Sequence, residues 1–302
     1  MIYLILAGTC FGTIGLFVNF IGSDISTVLI AAIRLLSTAG LIYLYQSLKG
    51  SRKELRLTSR KEIYYALIGG LVGFAVTFGL YLKSLVLVPV SEAVFLHYVA
   101  FPFSTILYSS IFLKERVTGS ELASLFGTVL GVFFIYNVGF SKGFSSIFGY
   151  SIAFISGVSY AAALIVLKEL GRSKTTLQTL FWPTLFGGVS LLPVVLIGGF
   201  TFDVSGNTLP AILGLILIST LLGYSLFAKG LKETRAGLSS VILIIIEPLS
   251  AVVLAVSFLG EQLSVTSGIG GSLIVLSGLI LYIDSHRRAQ IQPDKRDNSR
   301  SD

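Results

Sequence analysis

The sequence predicts an all-α membrane protein, a bundle of ten transmembrane helices built as two inverted five-helix repeats. Three observations predict it: too few charges for a water-exposed surface, ten apolar segments of membrane-spanning length, and a stretch of chain that recurs at a constant offset. Of the 302 residues, 54% are hydrophobic and 12% are charged, whereas a soluble domain carries about 25% charged residues. A lipid bilayer must therefore supply much of the surrounding solvent, which excludes a soluble globular protein.

Ten segments have the length and polarity of membrane spans. A helix needs about 20 apolar residues to cross about 30 Å of hydrocarbon. The segments are almost continuously apolar, which favours helices over the shorter, alternating strands of a membrane barrel. The predicted spans are residues 2–20, 27–48, 63–82, 90–113, 119–137, 147–167, 176–199, 209–228, 236–258 and 265–284. Residues 285–302 form a polar tail that we expect to be cytoplasmic and disordered.

The basic residues of the loops predict the orientation of the bundle. If the N-terminus lies in the cytoplasm, 19 of the 22 Lys and Arg residues fall in cytoplasmic loops or the tail, and two, Lys83 and Lys142, fall in outer loops. Because basic loops stay on the cytoplasmic side, we expect a multi-pass protein of the cell membrane with both termini inside. The net charge of +7 is then a topology signal that also suits contact with anionic lipid, and nucleic acid is not needed to explain it.

An internal repeat divides the spans into two sets of five. Residues 102–115, PFSTILYSSIFLKE, align without gaps with residues 248–261, PLSAVVLAVSFLGE, at an offset of 146. A weaker pairing sets AGTCFG beside SGVSYA, residues 156–161. We therefore predict one five-helix repeat over residues 1–137 and a second over 147–284. Because five is odd, the second repeat enters the membrane in the opposite sense, and inverted repeats of this kind are typical of transporters.

The repeated stretches and their neighbours resemble a known family. The segments AGTCFGTIGLF, IRLLSTAGLI, HYVAFPFSTILYSSIFLKERVTGSELASLFGTVLGVFFI and IIEPLSAVVLAVSFLGEQLSVTSGIGGSLIVLSGLIL are similar to the EamA family of the drug/metabolite transporter superfamily. The resemblance implies ten helices around a central cavity lined by the first four helices of each half. It also implies membrane passage of small metabolites such as amino acids or related compounds, often outwards.

Two charged residues within predicted spans are candidates for the site. Arg34 lies about seven residues into the second span, where a charge is costly unless it is paired or hydrated. It is either a cation that contacts a substrate carboxylate, or part of a structural ion pair or of a hydrogen bond between helices, and the resemblance places a family arginine here. Glu247 precedes Pro248 in the ninth span. Its carboxyl either couples proton movement to transport, or pairs with Arg34 or caps freed backbone groups.

Other polar and aromatic residues within the spans complete the candidate binding site. His97 and Tyr98 lie in the outer half of the fourth span, where a histidine is either a proton relay or substrate donor, or a satisfied packing residue. Glu92, nearer the outer end, is either part of a vestibule or a solvated helix start. The last candidates, which either line the cavity or pack against lipid and other helices, are Trp182, Tyr224 and Tyr81.

The repeat also predicts structural residues. Pro102 and Pro248 occupy equivalent positions and are expected to act as hinges, because proline removes a backbone donor from a helix. Glu115 and Glu261 are equivalent carboxylates at the start of the following helix, where they favour its positive end. The spacing of Thr118 and Glu121 predicts a capping box at the start of the fifth span.

The sequence favours transport over other functions. We predict a secondary transporter of small organic metabolites, an exporter of amino acids or related compounds, with a multidrug or cation exporter of the same superfamily as the alternative. No GxxxxGK[ST] or HExxH motif occurs, and the one cysteine, Cys10, allows neither an intramolecular disulfide nor a cysteine metal cluster, so we predict no cofactor, no metal and no catalytic residue. A passive channel or an intramembrane enzyme is less favoured. Small residues at 8 and 12, and at 127 and 131, suit close helix packing and would also allow a homodimer.

Overall fold

The computed structural model is almost entirely helical. It describes residues 1–22, 24–113, 119–120, 123, 126–127, 129–131, 133–134, 144–172, 174–198, 201–203, 206, 208–233 and 236–291. Within these ranges the only β-structure is an isolated bridge between Ile25 and Phe202. The predicted all-α fold is confirmed.

Nine long helices lie within the described residues, and each coincides with a predicted span. They are α1 (Ile2–Ile21), α2 (Thr27–Leu48), α3 (Arg60–Leu87), α4 (Val90–Leu113), α5 (Phe144–Gly171), α6 (Thr176–Gly198), α7 (Thr208–Gly214, continuing through Leu215–Leu222 and Gly223–Glu233), α8 (Ala236–Leu259) and α9 (Val265–Ile291). The fifth predicted span, 119–137, is described only in part. Six helices, α1, α2, α3, α5, α6 and α7, are long and apolar enough to cross a membrane, and α8 and α9 contain shorter apolar stretches.

Several helix ends extend beyond the predicted limits, and two of them have a local explanation. Helix α3 begins at Arg60 rather than residue 63, because Ser59 and Glu62 form a capping box at its start. Helix α9 continues to Ile291, so the first seven residues of the predicted tail are helical. Arg287, Arg288, Ala289 and Gln290 are good helix formers, so the change in polarity at residue 285 does not end the helix.

The packing of the helices follows the inverted repeat. The most extensive contacts join α3 to α5, α1 to α7, α4 to α5 and α1 to α8, so each pairs a helix of the first half with one of the second. The α1–α8 and α4–α5 pairs exchange under the repeat. The repeat likewise relates the contact of α3 with α5 to the contact of α7 with α1. The two halves therefore interlock rather than stand side by side.

Helices α3 and α7 share an irregularity. Each contains an eight-residue π-helical segment, Gly69–Val76 in α3 and Leu215–Leu222 in α7. The two segments are separated by the same 146 residues that relate the repeated sequences. Short π-helical stretches occur frequently at functional sites, and both of these lie beside the buried interior described below.

The small-residue faces are occupied within the chain. Gly8 and Gly12 of α1 lie against α8, where a Cβ on Gly12 would meet the Ser250 side chain at 2.5 Å. Gly127 and Gly131 face α9. These glycines serve helix packing inside one chain, and a homodimer stays a prediction.

Candidate functional site

Most of the predicted site residues lie together in the buried interior. Six of them, contributed by α2, α3, α4, α7 and α8, approach one another, and three further side chains from α5 and α7 join them. We call these nine residues the central polar cluster: Arg34, Tyr81, His97, Tyr98, Ser156, Tyr160, Thr220, Tyr224 and Glu247. None is more than 5% exposed. The cluster draws on both halves of the repeat.

Arg34 is completely buried and only partly hydrogen-bonded. Its Nε donates to the Thr220 hydroxyl at 2.8 Å, and its guanidinium carbon lies 4.3 Å from the centre of the Phe78 ring. Among the described residues, no acceptor bonds its Nη1 or Nη2, although both atoms are shielded from solvent. A buried, unsatisfied donor costs free energy, so these two nitrogens are where an anionic ligand would be stabilised most.

Glu247 is held by a tyrosine and not by Arg34. The Tyr98 hydroxyl donates to the Glu247 carboxylate, while Arg34 contributes only a longer-range attraction. Within the described part of the chain, the two charged groups form no ion pair. The alternative in which Glu247 pairs directly with Arg34 is therefore wrong. Helix α8 continues through Pro248.

His97 and three tyrosines line the adjoining part of the cluster. His97 Nδ1 lies 2.7 Å from the Ser156 hydroxyl, and that hydroxyl also donates to the Ala153 carbonyl at 2.6 Å. The hydroxyl has one hydrogen, so the network assigns the Nδ1 proton to His97. Its ring lies 4.5 Å from Tyr81, 5.1 Å from Tyr98 and 5.3 Å from Tyr160. These contacts connect α3, α4 and α5.

Aromatic rings enclose the Arg34 side of the cluster. The Tyr224 ring lies 4.7 Å from Phe11, 5.4 Å from Phe74, 5.9 Å from Phe78 and 6.4 Å from Phe227. Tyr224 and Tyr160 also interact through their hydroxyl groups. An apolar wall of this kind keeps water away, which strengthens the attraction between a cation and a bound anion.

Comparison with known proteins identifies the family. A model of the EamA-like transporter family matches residues 1–137 and 147–283. The chain belongs to the EamA-like transporter family. It is 29% identical over 299 residues to the uncharacterized inner membrane transporter YicL of Salmonella typhimurium, covering 96% of this chain and 97% of that one. It is 27% identical over 279 residues to an uncharacterized transporter of Archaeoglobus fulgidus, covering 92% and 94%. One crystal structure superposes with a TM-score of 0.69 at 18% identity, over 95% of this chain and 97% of the other, which supports the fold.

Two predicted site residues of this EamA-like transporter, Trp182 and Glu92, lie outside the cluster. Trp182 donates from its indole nitrogen to the Leu55 carbonyl at 2.5 Å and packs against Phe181 and Phe186. It thus anchors the loop before α3 to α6. Trp182 lies outside the cluster because it is close to the start of α6, whereas Tyr224 lies in the middle of α7.

Glu92 is buried and is not a solvated helix start. It is 4% exposed and accepts hydrogen bonds from Tyr150 of α5 and, at 2.8 Å, from Ser267 of α9. The solvated interpretation of Glu92 is therefore wrong, because α5 and α9 cover the start of α4. The carboxylate ties three helices together.

Glu261 is a cap, but of a different helix from the one predicted. Its carboxylate accepts from the Val90 backbone nitrogen at 2.6 Å and from Ser91 at 3.2 Å, and the Ser91 hydroxyl adds a bond of 2.9 Å. These groups start α4, whereas the sequence placed Glu261 at the start of α9. Interlocking of the two halves brings the α8–α9 turn over α4. Glu115, Thr118 and Glu121 lie outside the described residues, and nothing tests their predicted roles. Pro102 lies within α4.

A separate cavity opens at one end of the EamA-like transporter. It has a volume of about 1320 Å³ and is bordered by the α1–α2 turn, the end of α3, the start of α4 and the end of α6. Its polar lining includes Asn19, Thr27, Lys83, Ser190 and Glu261. None of the nine cluster side chains borders it. The cluster side chains are also buried, so the cluster is closed off from the surface in this conformation. The cavity lies at the end that the sequence predicts to be outside.

Three cluster residues were not predicted from the sequence: Ser156, Tyr160 and Thr220. They are uncharged, so placing them in an apolar span costs little free energy and does not mark them as functional. The repeat could have indicated Tyr160. The pairing of residues 7–12 with 156–161 sets Phe11 opposite Tyr160, and both side chains contact Tyr224. Thr220 depends on the π-helical segment of α7, which has no recognisable sequence pattern.

Proposed function

We propose that this EamA-like transporter is a secondary transporter that moves small carboxylate-bearing metabolites, amino acids or related compounds, out of the cell by alternating access. The observation that carries the proposal is Arg34, a fully buried guanidinium with two nitrogens that no described residue bonds. Charged residues inside membrane helices are expensive and mark substrate or ion pathways. A carboxylate would supply both the missing charge and the missing acceptors.

The architecture supports alternating access. The two interlocked halves place their polar residues in one cluster that is shut off from the surface, while a cavity opens at one end. Transporters with inverted repeats expose such a site to each side in turn. We further propose that both termini face the cytoplasm of the cell membrane, in keeping with the 19 basic residues on that side and with the inner membrane location in the name of the Salmonella relative.

An exporter of lipophilic cations is the second candidate. The buried Glu247 carboxylate and the aromatic rings around Tyr224 are the features that favour it, because rings and a carboxylate together attract organic cations. The two candidates differ in which charged residue the substrate needs. A cation exporter would depend on Glu247 and tolerate loss of the Arg34 charge.

The test is counterflow in proteoliposomes. Purified protein is reconstituted into vesicles loaded with an unlabelled mixture of L-amino acids, and uptake of the same mixture labelled with ¹⁴C is followed. We expect saturable uptake that Arg34→Gln reduces about 10- to 100-fold in kcat/KM, the range expected from a lost hydrogen bond to a charged group. Arg34→Lys should retain part of the activity, because it keeps the charge and loses the planar fork.

Exposed Arg52 provides the matched control. Arg52→Gln makes the same chemical change in the loop between α2 and α3 and should leave uptake within twofold. Uptake that is equal in wild type, Arg34→Gln and Arg52→Gln would refute the role of Arg34. If amino acids are not exchanged but a quaternary ammonium dye is, with dependence on Glu247, the cation exporter is the correct function.

A further inference from the structure

Thr220 connects Arg34 to the backbone of α7. Its hydroxyl accepts the Nε hydrogen of Arg34 at 2.8 Å and donates its own hydrogen to the Leu215 carbonyl at 2.7 Å. Thr220 is completely buried. Its only hydrogen is therefore committed to the helix backbone, and the oxygen accepts from the guanidinium.

The π-helical segment sets this direction. The Thr220 hydroxyl reaches back five residues, whereas Thr38 and Thr184 in regular α-helices bond the carbonyls of Arg34 and Leu180, four residues back. A threonine in a regular helix bonds the carbonyl three or four residues back. The wider turn of Leu215–Leu222 thus presents an oxygen to Arg34 that an ordinary helix would place differently.

The first half contributes a second contact to the same guanidinium. Phe78 follows the π-helical segment of α3 by two residues, and its ring lies 4.3 Å from the Arg34 guanidinium carbon. An aromatic face attracts a guanidinium and limits its tilt. Arg34 is therefore held at Nε by α7 and on one face by α3, which leaves the Nη1–Nη2 edge.

We propose that Thr220 is a positioning residue that fixes Arg34 so that a substrate carboxylate binds end-on, one oxygen to Nη1 and one to Nη2. This inference rests on the proposed function and specifies it. A guanidinium offers carboxylates a side edge, made by Nε and one Nη, and an end edge, made by both Nη atoms. Thr220 occupies the side edge, so the site accepts a planar carboxylate at the end edge alone.

Counterflow of the ¹⁴C-labelled amino acid mixture tests this geometry. Thr220→Val keeps the shape of the side chain and removes the hydroxyl. We expect the apparent KM to rise about tenfold, as for one lost bond to a charged group, with the maximal rate within twofold. Thr220→Ser should restore the wild-type KM. Thr184→Val is the matched control, because it removes a buried hydroxyl that bonds only its own helix.

An Arg34→Lys background separates positioning from general structure. Lysine has no Nε fork, so Thr220→Val should change KM less than twofold there. A tenfold rise in both backgrounds would mean that Thr220 acts on packing and would overturn the inference. An unchanged KM for Thr220→Val in the wild-type background would overturn it too.

A second measurement needs no transport. In protein labelled with ¹⁵N-arginine, the Arg34 Nε hydrogen should exchange slowly in wild type and Thr220→Ser, and quickly in Thr220→Val. Slow exchange in all three would contradict the inference. Wild-type counterflow that is absent, or equal in Arg34→Gln, refutes the proposed function and the inference with it. Loss of counterflow in Arg34→Gln with no effect of Thr220→Val refutes only the positioning role.

Discussion

Arg34 and Glu247 occupy one buried cluster, yet each is held by a hydroxyl rather than by the other. Thr220 bonds Arg34 and Tyr98 bonds Glu247. A direct buried ion pair would have offset part of the cost of burying both charges. Under the proposed function, keeping them apart would let Arg34 bind an anion and Glu247 bind a proton independently.

The separation predicts distinct consequences for Glu247. If its carboxyl carries the coupled proton, Glu247→Gln should abolish the stimulation of transport by an imposed pH gradient. Counterflow should persist, because exchange of substrate for substrate requires no net proton movement. Both are measured in the same proteoliposomes, with Glu54→Gln, an exposed change in the loop between α2 and α3, as control. Stimulation that survives in Glu247→Gln would show that Glu247 is not the coupling group.

The cluster residues that can be predicted from the sequence are those whose side chains cost free energy to place in a membrane span. Arg34, His97 and Glu247 stand out because a charge or a histidine in an apolar span demands a reason. Thr220 and Tyr160 belong to types that membrane helices tolerate, and their role depends on which way a helix face points. Trp182 shows the same limit, since its position in a span did not reveal its distance from the cluster.

At the level of helices, the Glu261 cap joins the two halves at the end predicted to be outside. Its carboxylate bonds two backbone nitrogens and a hydroxyl at the start of α4. The satisfied donors belong to a helix 170 residues earlier in the chain. The cap therefore contributes to the contact between halves as well as to α4 itself.

Replacing this cap should destabilise the protein. We expect Glu261→Ala to lower the free energy of unfolding by about 0.5–2 kcal/mol, the usual range for loss of a helix cap. Thermal unfolding in detergent, followed by fluorescence of the single tryptophan, measures the change. Gln262→Ala, at the exposed neighbouring position, should have no such effect. Equal stability of the two variants would refute the cap.

The presence of each helix was easier to predict than the irregular segments within it. Nine predicted spans correspond to helices because apolar length alone identifies them. The π-helical segments have dissimilar sequences, GGLVGFAV and LILISTLL, so no shared local pattern predicts them. Only their common offset of 146 residues relates them to the repeat. Thr220 lies in one of these segments and Phe78 two residues after the other, and for that reason the sequence located Arg34 but not the groups that hold it.

At the level of the whole molecule, the two ends of the bundle differ. At the end predicted to be cytoplasmic, Lys174 pairs with Glu62 at 3.2 Å and bonds the Arg56 carbonyl at 3.1 Å, and Trp182 bonds the Leu55 carbonyl. The loop before α3 is thereby fastened to the start of α6. The 1320 Å³ cavity lies at the other end. In this conformation the end predicted to be inside is held together by these contacts, and the end predicted to be outside carries a cavity that none of the cluster side chains borders.

Cysteine labelling tests that orientation. Cys10 is first replaced by alanine, and single cysteines are then introduced at Glu54, in the predicted inner loop, and at Asp203, in the predicted outer loop; both positions are exposed. A membrane-impermeant maleimide added to intact cells should modify Asp203→Cys and leave Glu54→Cys unmodified, because basic loops are retained inside. Permeabilised cells should label both, which controls for reactivity. Labelling of Glu54→Cys alone in intact cells would invert the bundle, and the cavity would then face the cytoplasm as the entrance for an exported solute rather than its exit.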